Sequence, residues 1–148
     1  MDPELGLGRV AAMHGIRTES AAAAAAINWG AALQLNADDP NKIEPFAGGK
    51  PFYGIAIESM FGEFRETDVS EFPTANYVAQ DAVSILRRGR IWVLVLEDVI
   101  RGQGAKVDNV TANFRPETTV VAEVSTVVGV FKNNALANHL AEVEINLP

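Results

Sequence analysis

The segment of residues 84–96 constrains the fold more than any other part of the chain. Residues 91–96 are all apolar and mostly β-branched or aromatic. A run of that composition is typical of a strand buried on both faces of a sheet. Gly89 precedes the run, and a glycine inside a strand pattern often marks a bulge or bend. We therefore predict that residues 83–96 form two strand halves that meet at Gly89.

Three arginines (Arg87, Arg88 and Arg90) surround that glycine, although the chain carries a formal net charge of −7. Strand alternation places Arg88 and Arg90 on one face and Arg87 on the other, unless a bulge at Gly89 resets the phase. Guanidinium groups favour bidentate contacts with carboxylates. One interpretation is a carboxylate network within the chain, and the other is a contact with a second protein chain. The intrachain candidates are Glu58, Glu142 and Glu144.

Length and composition indicate one globular domain without an affinity for anionic surfaces. At 148 residues with 48% hydrophobic side chains, the chain is long enough to form a sizeable core. The pI near 4.8 argues against nucleic acid and anionic membranes as partners. An acidic chain instead suits a partner with basic patches.

The absence of cysteine excludes disulfides and thiolate metal sites, which fits a reducing cytoplasm. The first residues lack the basic and apolar regions of a signal peptide. No apolar run approaches the roughly 20 residues of a transmembrane helix. We therefore expect a soluble protein that stays in the compartment where it is made.

The chain divides into an arm, residues 1–20, and a β-rich domain, residues 21–148. The arm has no sustained hydrophobic period, and such segments are often poorly ordered until something holds them. Its Leu5, Leu7 and Arg9 are candidate partner-binding residues, together with the three arginines around Gly89. The alanine run at residues 21–26 predicts either a short helical turn or an extended lead-in.

Short β-branched segments separated by turn residues fill the rest of the chain. Residues 141–147 alternate strictly between apolar and polar side chains, which indicates a half-buried antiparallel strand. Residues 61–77 and 109–119 read as loops, the first of them long enough for a binding role. The pattern predicts an all-β fold, an antiparallel sandwich or jelly roll. Further predicted strands cover residues 27–35, 42–46, 52–60, 105–109, 119–124 and 127–132.

Catalytic and metal-binding patterns are nearly absent. His14 and His139 lie far apart in the sequence, and no Gly-x-Ser-x-Gly motif marks a nucleophilic serine. The pairs Asp38-Asp39 and Glu97-Asp98 lack the ligand spacing of a calcium loop and are better explained as turn-forming or solvated acids. We predict no enzymatic activity, no metal and no cofactor.

Residues 76–93 and the closing residues 141–148 resemble the structural cement, or head decoration, proteins of tailed bacteriophages. The most specific part is Leu-Arg-Arg-Gly-Arg-Ile-Trp-Val, and residues 52–56 add a weaker similarity. The resemblance implies a small β-rich protein on the outside of an icosahedral capsid, without catalysis. It implies binding to the major capsid protein and self-association, as a dimer or trimer at symmetry axes. Such a protein is made in the host cytoplasm and resides on the virion.

Two other functions compete with this one. A carbohydrate- or receptor-binding β-module displayed on a particle is the first alternative, and aromatic residues in the loop 61–77 would favour it if their side chains are exposed. A small hydrolase that uses His139 and nearby acids is the second.

Overall fold

A computed structural model describes residues 7–11, 15–58 and 76–148. Every regular element in these ranges is a β-strand. None of the described segments contains a helix of the length and apolarity that a membrane crossing requires. In chain order the strands are β1 (Arg17–Ala23), β2 (Ile27–Asn28), β3 (Ala32–Leu35), β4 (Lys42–Pro45), β5 (Gly54–Ala56), β6 (Asn76–Tyr77), β7 (Ala82–Leu94), β8 (Gly104–Val107), β9 (Phe114–Pro116), β10 (Gly129–Phe131) and β11 (Leu140–Asn146).

Five strands close into a ring that includes the N-terminal half of β7, here called the first ring. Their order is β1-β4-β3-β5-β7, and β1 also pairs with β7. Leu86 of β7 shows the closure, because it pairs with Thr18 on one side and Ile55 on the other. Only the pairing of β1 with β4 is parallel in this ring. Closure removes the unpaired sheet edges that otherwise invite aggregation.

The C-terminal half of β7 belongs to a second set of strands in the order β7-β11-β10-β8-β9, here called the second ring. β11 pairs with β7 over seven residues. A bridge between Val95 and Phe114 connects β9 to the segment that follows β7. The N–H of Leu96 also donates to the carbonyl of Phe114 at 3.0 Å. The long strand β7 is therefore common to both rings.

The core is continuous through both rings. Phe114 and Phe131, the two largest fully buried side chains, lie in the second ring. In β11 the predicted alternation is confirmed, since Ala141, Val143 and Ile145 are at most 1% exposed. Full burial of a side chain such as Val143 or Ile145 contributes about 1.5–3 kcal/mol. The all-β, mainly antiparallel fold class is also confirmed.

One predicted strand is interrupted at a glycine, and the alanine run before it follows one of its two predicted structures. Residues 27–35 form β2 and β3 rather than one strand, because Gly30 adopts a φ of +75° between them. The alanine run begins as the predicted extended lead-in, since residues 21–23 belong to β1, and it does not form a helical turn. Ala21 and Ala22 pair with Val83 and Ala82 of β7, so tertiary pairing overrides the helix propensity of alanine.

The predicted strand at residues 119–124 is wrong, and so is part of the predicted loop at 109–119. Thr119 and Val121 satisfy hydrogen bonds locally, since the N–H of Val121 donates to Oγ1 of Thr119 at 3.3 Å. Local side-chain bonds of this kind compete with a sheet ladder. β9 forms instead at residues 114–116, with Pro116 as its last residue, where a missing N–H is tolerated.

β1 begins at Arg17 and crosses the predicted boundary between arm and domain. It forms six residue pairs with β7, so this part of the arm is built into the first ring. The division of the chain into arm and domain stays a prediction.

Candidate functional site

Gly89 of β7 lies between two N-terminal segments that contact opposite edges of this strand, residues 8–11 and β1. Residues 8–11 lie at the β5 edge, because the carbonyl of Gly8 accepts the N–H of Glu58, which follows β5. β1 lies at the opposite edge. Between them Ile16 covers Gly89, so that a Cβ at position 89 would come within 2.9 Å of Cγ2 of Ile16. With a φ of +136°, position 89 favours glycine on both steric and backbone grounds.

The predicted break of β7 into two halves is wrong. The register with β11 continues through Gly89 without a shift, so β7 is one strand of 13 residues. An irregularity does occur in β7, but two residues before the glycine: Arg17 pairs with Arg88 and Thr18 with Leu86, so Arg87 is the extra residue in the pairing with β1. Gly89 itself is in register with β11 and leaves room for the side chain of Ile16.

Arg87 is bound within the chain. One Nη donates to the carbonyl of Tyr53 and the other to the carbonyl of Pro148 at 3.1 Å. Its Nε lies 2.8 Å from Glu19 Oε2, an ion-pair distance without hydrogen-bond alignment. The guanidinium carbon stands 4.1 Å from the centroid of the Tyr53 ring, a cation–π distance. Arg87 therefore stabilises the join between β1, β5 and the chain end.

Arg90 pairs with two of the carboxylates expected from the sequence. Its Nε donates to Glu144 at 2.9 Å, and its Nη1 lies 3.6 Å from Glu142. Lys132 reaches the same Glu144 oxygen at 3.7 Å. Exposed ion pairs of this kind contribute only about 0.2–1 kcal/mol each. The intrachain interpretation thus describes Arg87 and Arg90.

Arg88 is the accessible member of the cluster. It is exposed and forms no ion pair with any described residue. Its register partner in β1 is Arg17, likewise without an ion pair in the described ranges, and like charges opposite each other are destabilising. A shallow hollow of about 340 Å³ adjoins Arg88, Gly15 and Asn146. Arg90 and Glu144, which pair with each other, line the same hollow.

The N-terminal candidates differ in what they contact. Leu7 is half-buried and packs against the core. Arg9 is exposed, with its Nε 3.3 Å from Oε1 of Glu58. Its carbonyl accepts the N–H of Trp92 at 3.0 Å, so the segment follows the edge of β7. Leu5 lies outside the described residues, as does almost all of the loop 61–77.

A network of charged side chains that the sequence did not reveal connects two turns of the second ring. Arg115 donates from Nε to Asp108 at 2.8 Å and from Nη1 to Glu97 at 2.9 Å. Glu97 also accepts the hydroxyl of Thr119. Asp108 is only 4% exposed. Glu97 lies at a bend and its side chain is 33% exposed, as expected of a turn-forming acid, but its pairing with Arg115 was not predicted. Asp39 also lies in a turn and accepts the N–H of Asn41.

The hydrogen bonds of this network shift the pKa of both carboxyl groups downward. The hydroxyl of Thr119 and then Arg115 lower the pKa of Glu97 against the effect of burial. Burial acts to raise the pKa of Asp108, but Arg115 and the N–H groups of Thr111 and Val110 outweigh it. Both groups are therefore held as carboxylates around one guanidinium. An Asp followed by Thr three residues later is the signal that predicts such a side-chain-capped turn.

Large apolar side chains are exposed mainly in the second ring. Six of the seven in the described ranges lie between residues 100 and 136, and the seventh is Val78. Val120 and Val110 are the most exposed, at 96% and 77%. Both belong to the two turns that the charged network connects.

No group of His, Asp or Glu suited to a metal ion occurs in the described part of the chain. His139 is exposed, with Nδ1 3.1 Å from the carbonyl of Ala137. His14 lies outside the described ranges. The absence of enzymatic activity stays a prediction.

Comparisons with known proteins place this arrangement among phage structural proteins. The family model described as structural cement protein (E217 gp24/Pam3 gp6) matches residues 3–146. The fold is similar to a chain of the capsid of Myoviridae phage XM1, with a TM-score of 0.69, 14% identity and coverage of 95% of this chain and 89% of that one. It also resembles the head fiber gp8.5 N base of bacteriophage phi29, with a TM-score of 0.50, 15% identity and coverage of 88% and 94%. No curated protein matches the chain.

Proposed function

Since the chain belongs to the structural cement protein family of bacteriophages and has a capsid-associated structural role, we propose that it binds the outer surface of the phage head. There it ties neighbouring major capsid protein subunits together without catalysing a reaction. The observation that carries this proposal is the family match, which extends over residues 3–146 and so includes both rings.

The closed rings suit a protein that holds other subunits in place. Closure satisfies backbone hydrogen bonds inside the chain, so the molecule presents side chains rather than open strand edges. Icosahedral symmetry repeats each contact many times, so a modest interface stabilises the whole shell. Copies of this chain associate as a dimer or trimer at the symmetry axes, and neither nucleic acid nor a membrane takes part.

Arg9, Arg88 and Arg90 have exposed side chains and are the proposed polar contacts of the sequence-derived set. Leu7 and Arg87 already contact other parts of the chain, so they support the shape of the surface. Leu5 is retained as a proposed contact of the arm. Production in the host cytoplasm, before attachment to the head, is part of the same proposal.

Capsid shells assembled without this chain provide the test. We expect the purified protein to cosediment with such shells and to raise the temperature at which they fall apart. Cryo-microscopy of the decorated shells should then show its density on the outer surface, above the joints between capsid subunits. An absence of cosedimentation, or density on the inner surface, would contradict the proposal.

A further inference from the structure

Val110 and Val120 stand out because rigid turns hold them in solvent. Single exposed apolar residues are common and need no explanation by themselves. Here the two most exposed large apolar side chains lie on turns that share one ion network, in which Asp108 is buried and Arg115 and Glu97 are partly exposed.

The turn that carries Val110 is held by Asp108. Oδ1 of Asp108 accepts the N–H groups of Val110 and Thr111, both at 2.9 Å, and the hydroxyl of Thr111 at 3.2 Å. The turn continues through Ala112, which is 1% exposed and adopts a φ of +61°. A non-glycine residue in this region persists only where the surroundings determine it. The direction of Val110 is therefore fixed by buried groups.

The loop that carries Val120 is held by the other end of the network. Thr119 donates its hydroxyl to Glu97 and accepts the N–H of Val121 at 3.3 Å, which fixes the backbone on both sides of Val120. A further backbone bond joins the two turns, from the N–H of Asn109 to the carbonyl of Glu123 at 3.0 Å. The Arg115 guanidinium, between Glu97 and Asp108, thus sets the position of both valines together.

Rigid presentation of apolar side chains reduces the entropy that is lost when a partner binds. The charges around the valines indicate the partner's chemistry. Glu117 and Glu123, three residues before and three residues after Val120, are exposed and form no ion pair with the described residues, so acidic side chains flank Val120 along the chain. An apolar centre with a charged rim is the usual anatomy of a protein interface. The complementary surface is an apolar hollow with basic side chains at its edge.

We infer that Val110 and Val120 are the apolar anchors through which this chain binds the major capsid protein. The partner contributes a hollow lined by apolar groups and flanked by Lys or Arg. Arg115, Asp108 and Glu97 act as positioning residues that hold the anchors in place. The inference rests on the proposed capsid-binding function and assigns a specific surface to it.

The test measures binding of two matched variants to capsid shells that lack this chain. The first variant carries Val110→Thr and Val120→Thr. Each substitution replaces one methyl group by a hydroxyl and keeps the side-chain shape. The control carries Ile100→Thr and Leu136→Thr, whose side chains are 61% and 65% exposed in the same ring. All four positions are exposed, so we expect both variants to keep the wild-type melting temperature. Binding should weaken at least about tenfold in the first variant and stay within about twofold in the control.

Wild-type binding by the Val110/Val120 variant would overturn the inference, and so would an equal loss in both variants. A charge test adds an independent measurement: Glu117→Lys with Glu123→Lys should weaken binding, and unchanged or stronger binding would contradict a basic rim. Failure of the wild-type protein to bind the shells would instead contradict the proposed function itself. The binding measurement on the wild-type protein therefore distinguishes a failure of this inference from a failure of the proposed function.

Discussion

The two rings that share β7 differ in what they expose. The first ring closes through strand pairing on both edges of β7, and the described large apolar residues of its strands are buried or half-buried. The second ring closes through short strands and a single bridge, and it exposes six large apolar side chains. Under the proposed function, the turns that carry Val110 and Val120 therefore belong to the contact surface, and the closely paired strands of the first ring support it.

The largest expected effect comes from disturbing the point where the rings join. Gly89→Val introduces a side chain at a φ of +136° and against Ile16, whose Cγ2 would lie 2.9 Å from the new Cβ. Backbone strain of about 1–3 kcal/mol and a similar overpacking term should lower the free energy of unfolding by about 4 kcal/mol. Urea denaturation measures this loss. Gly49→Val is the control, because an added Cβ there meets no atom within 4 Å; equal losses in both variants would contradict the role of Gly89 in leaving room for Ile16.

A smaller effect follows from breaking the charged network of the second ring. Asp108→Asn removes the charge that faces Arg115 and should cost about 2 kcal/mol at pH 7. The pKa of Asp108 is lower in the folded than in the unfolded chain. Its stabilising contribution is therefore complete above about pH 4 and is lost as the pH falls through the folded pKa.

Urea denaturation of wild type and Asp108→Asn at pH 7 and at pH 3 gives the readout. The difference in unfolding free energy between the two proteins should shrink at the lower pH. An exposed acid replaced in the same way, Glu123→Gln, should show little difference at either pH. A gap between wild type and Asp108→Asn that stays constant with pH would contradict the role assigned to this carboxylate.

The smallest stability effects distinguish the arginines around Gly89. Arg87→Met removes hydrogen bonds to Tyr53 and Pro148 and should cost about 1–2 kcal/mol. Arg88→Glu should change stability by less than about 0.5 kcal/mol, because the side chain is exposed and has no described partner. Thermal unfolding tests both. A larger loss in Arg88→Glu than in Arg87→Met would reverse the assignment of internal and accessible arginines.

The sequence predicted those parts of the fold in which a local pattern decides the outcome. The alternation in residues 141–147 identified β11 and its buried face. The apolar run after Gly89 identified a strand, but only one of its faces is fully buried instead of the two that were predicted. Strand partners could not be read this way, because ring closure depends on contacts between distant residues. Gly89 is an example. Its position inside a strand predicted a bulge there, whereas the need for glycine comes from the side chain of Ile16, 73 residues earlier, which lies where a Cβ would point.

Contacts between residues far apart in the sequence also decide which side chains form the candidate site. The three arginines form a cluster in the sequence. In the fold, the partners of Arg87 and Arg90 come from β1, from β11 and from Pro148. The network around Arg115 was missed because Glu97, Asp108 and Thr119 are spread along the chain and only the second ring brings them together. Isolated valines in turns carry no sequence signal at all, so their significance depends on knowing what fixes them.

The most direct measurement is a cryo-microscopy map of capsid shells decorated with this protein, at a resolution that shows side chains. We expect this map to show the turns with Val110 and Val120 in contact with the major capsid protein. A map in which both valines point into solvent would contradict this expectation.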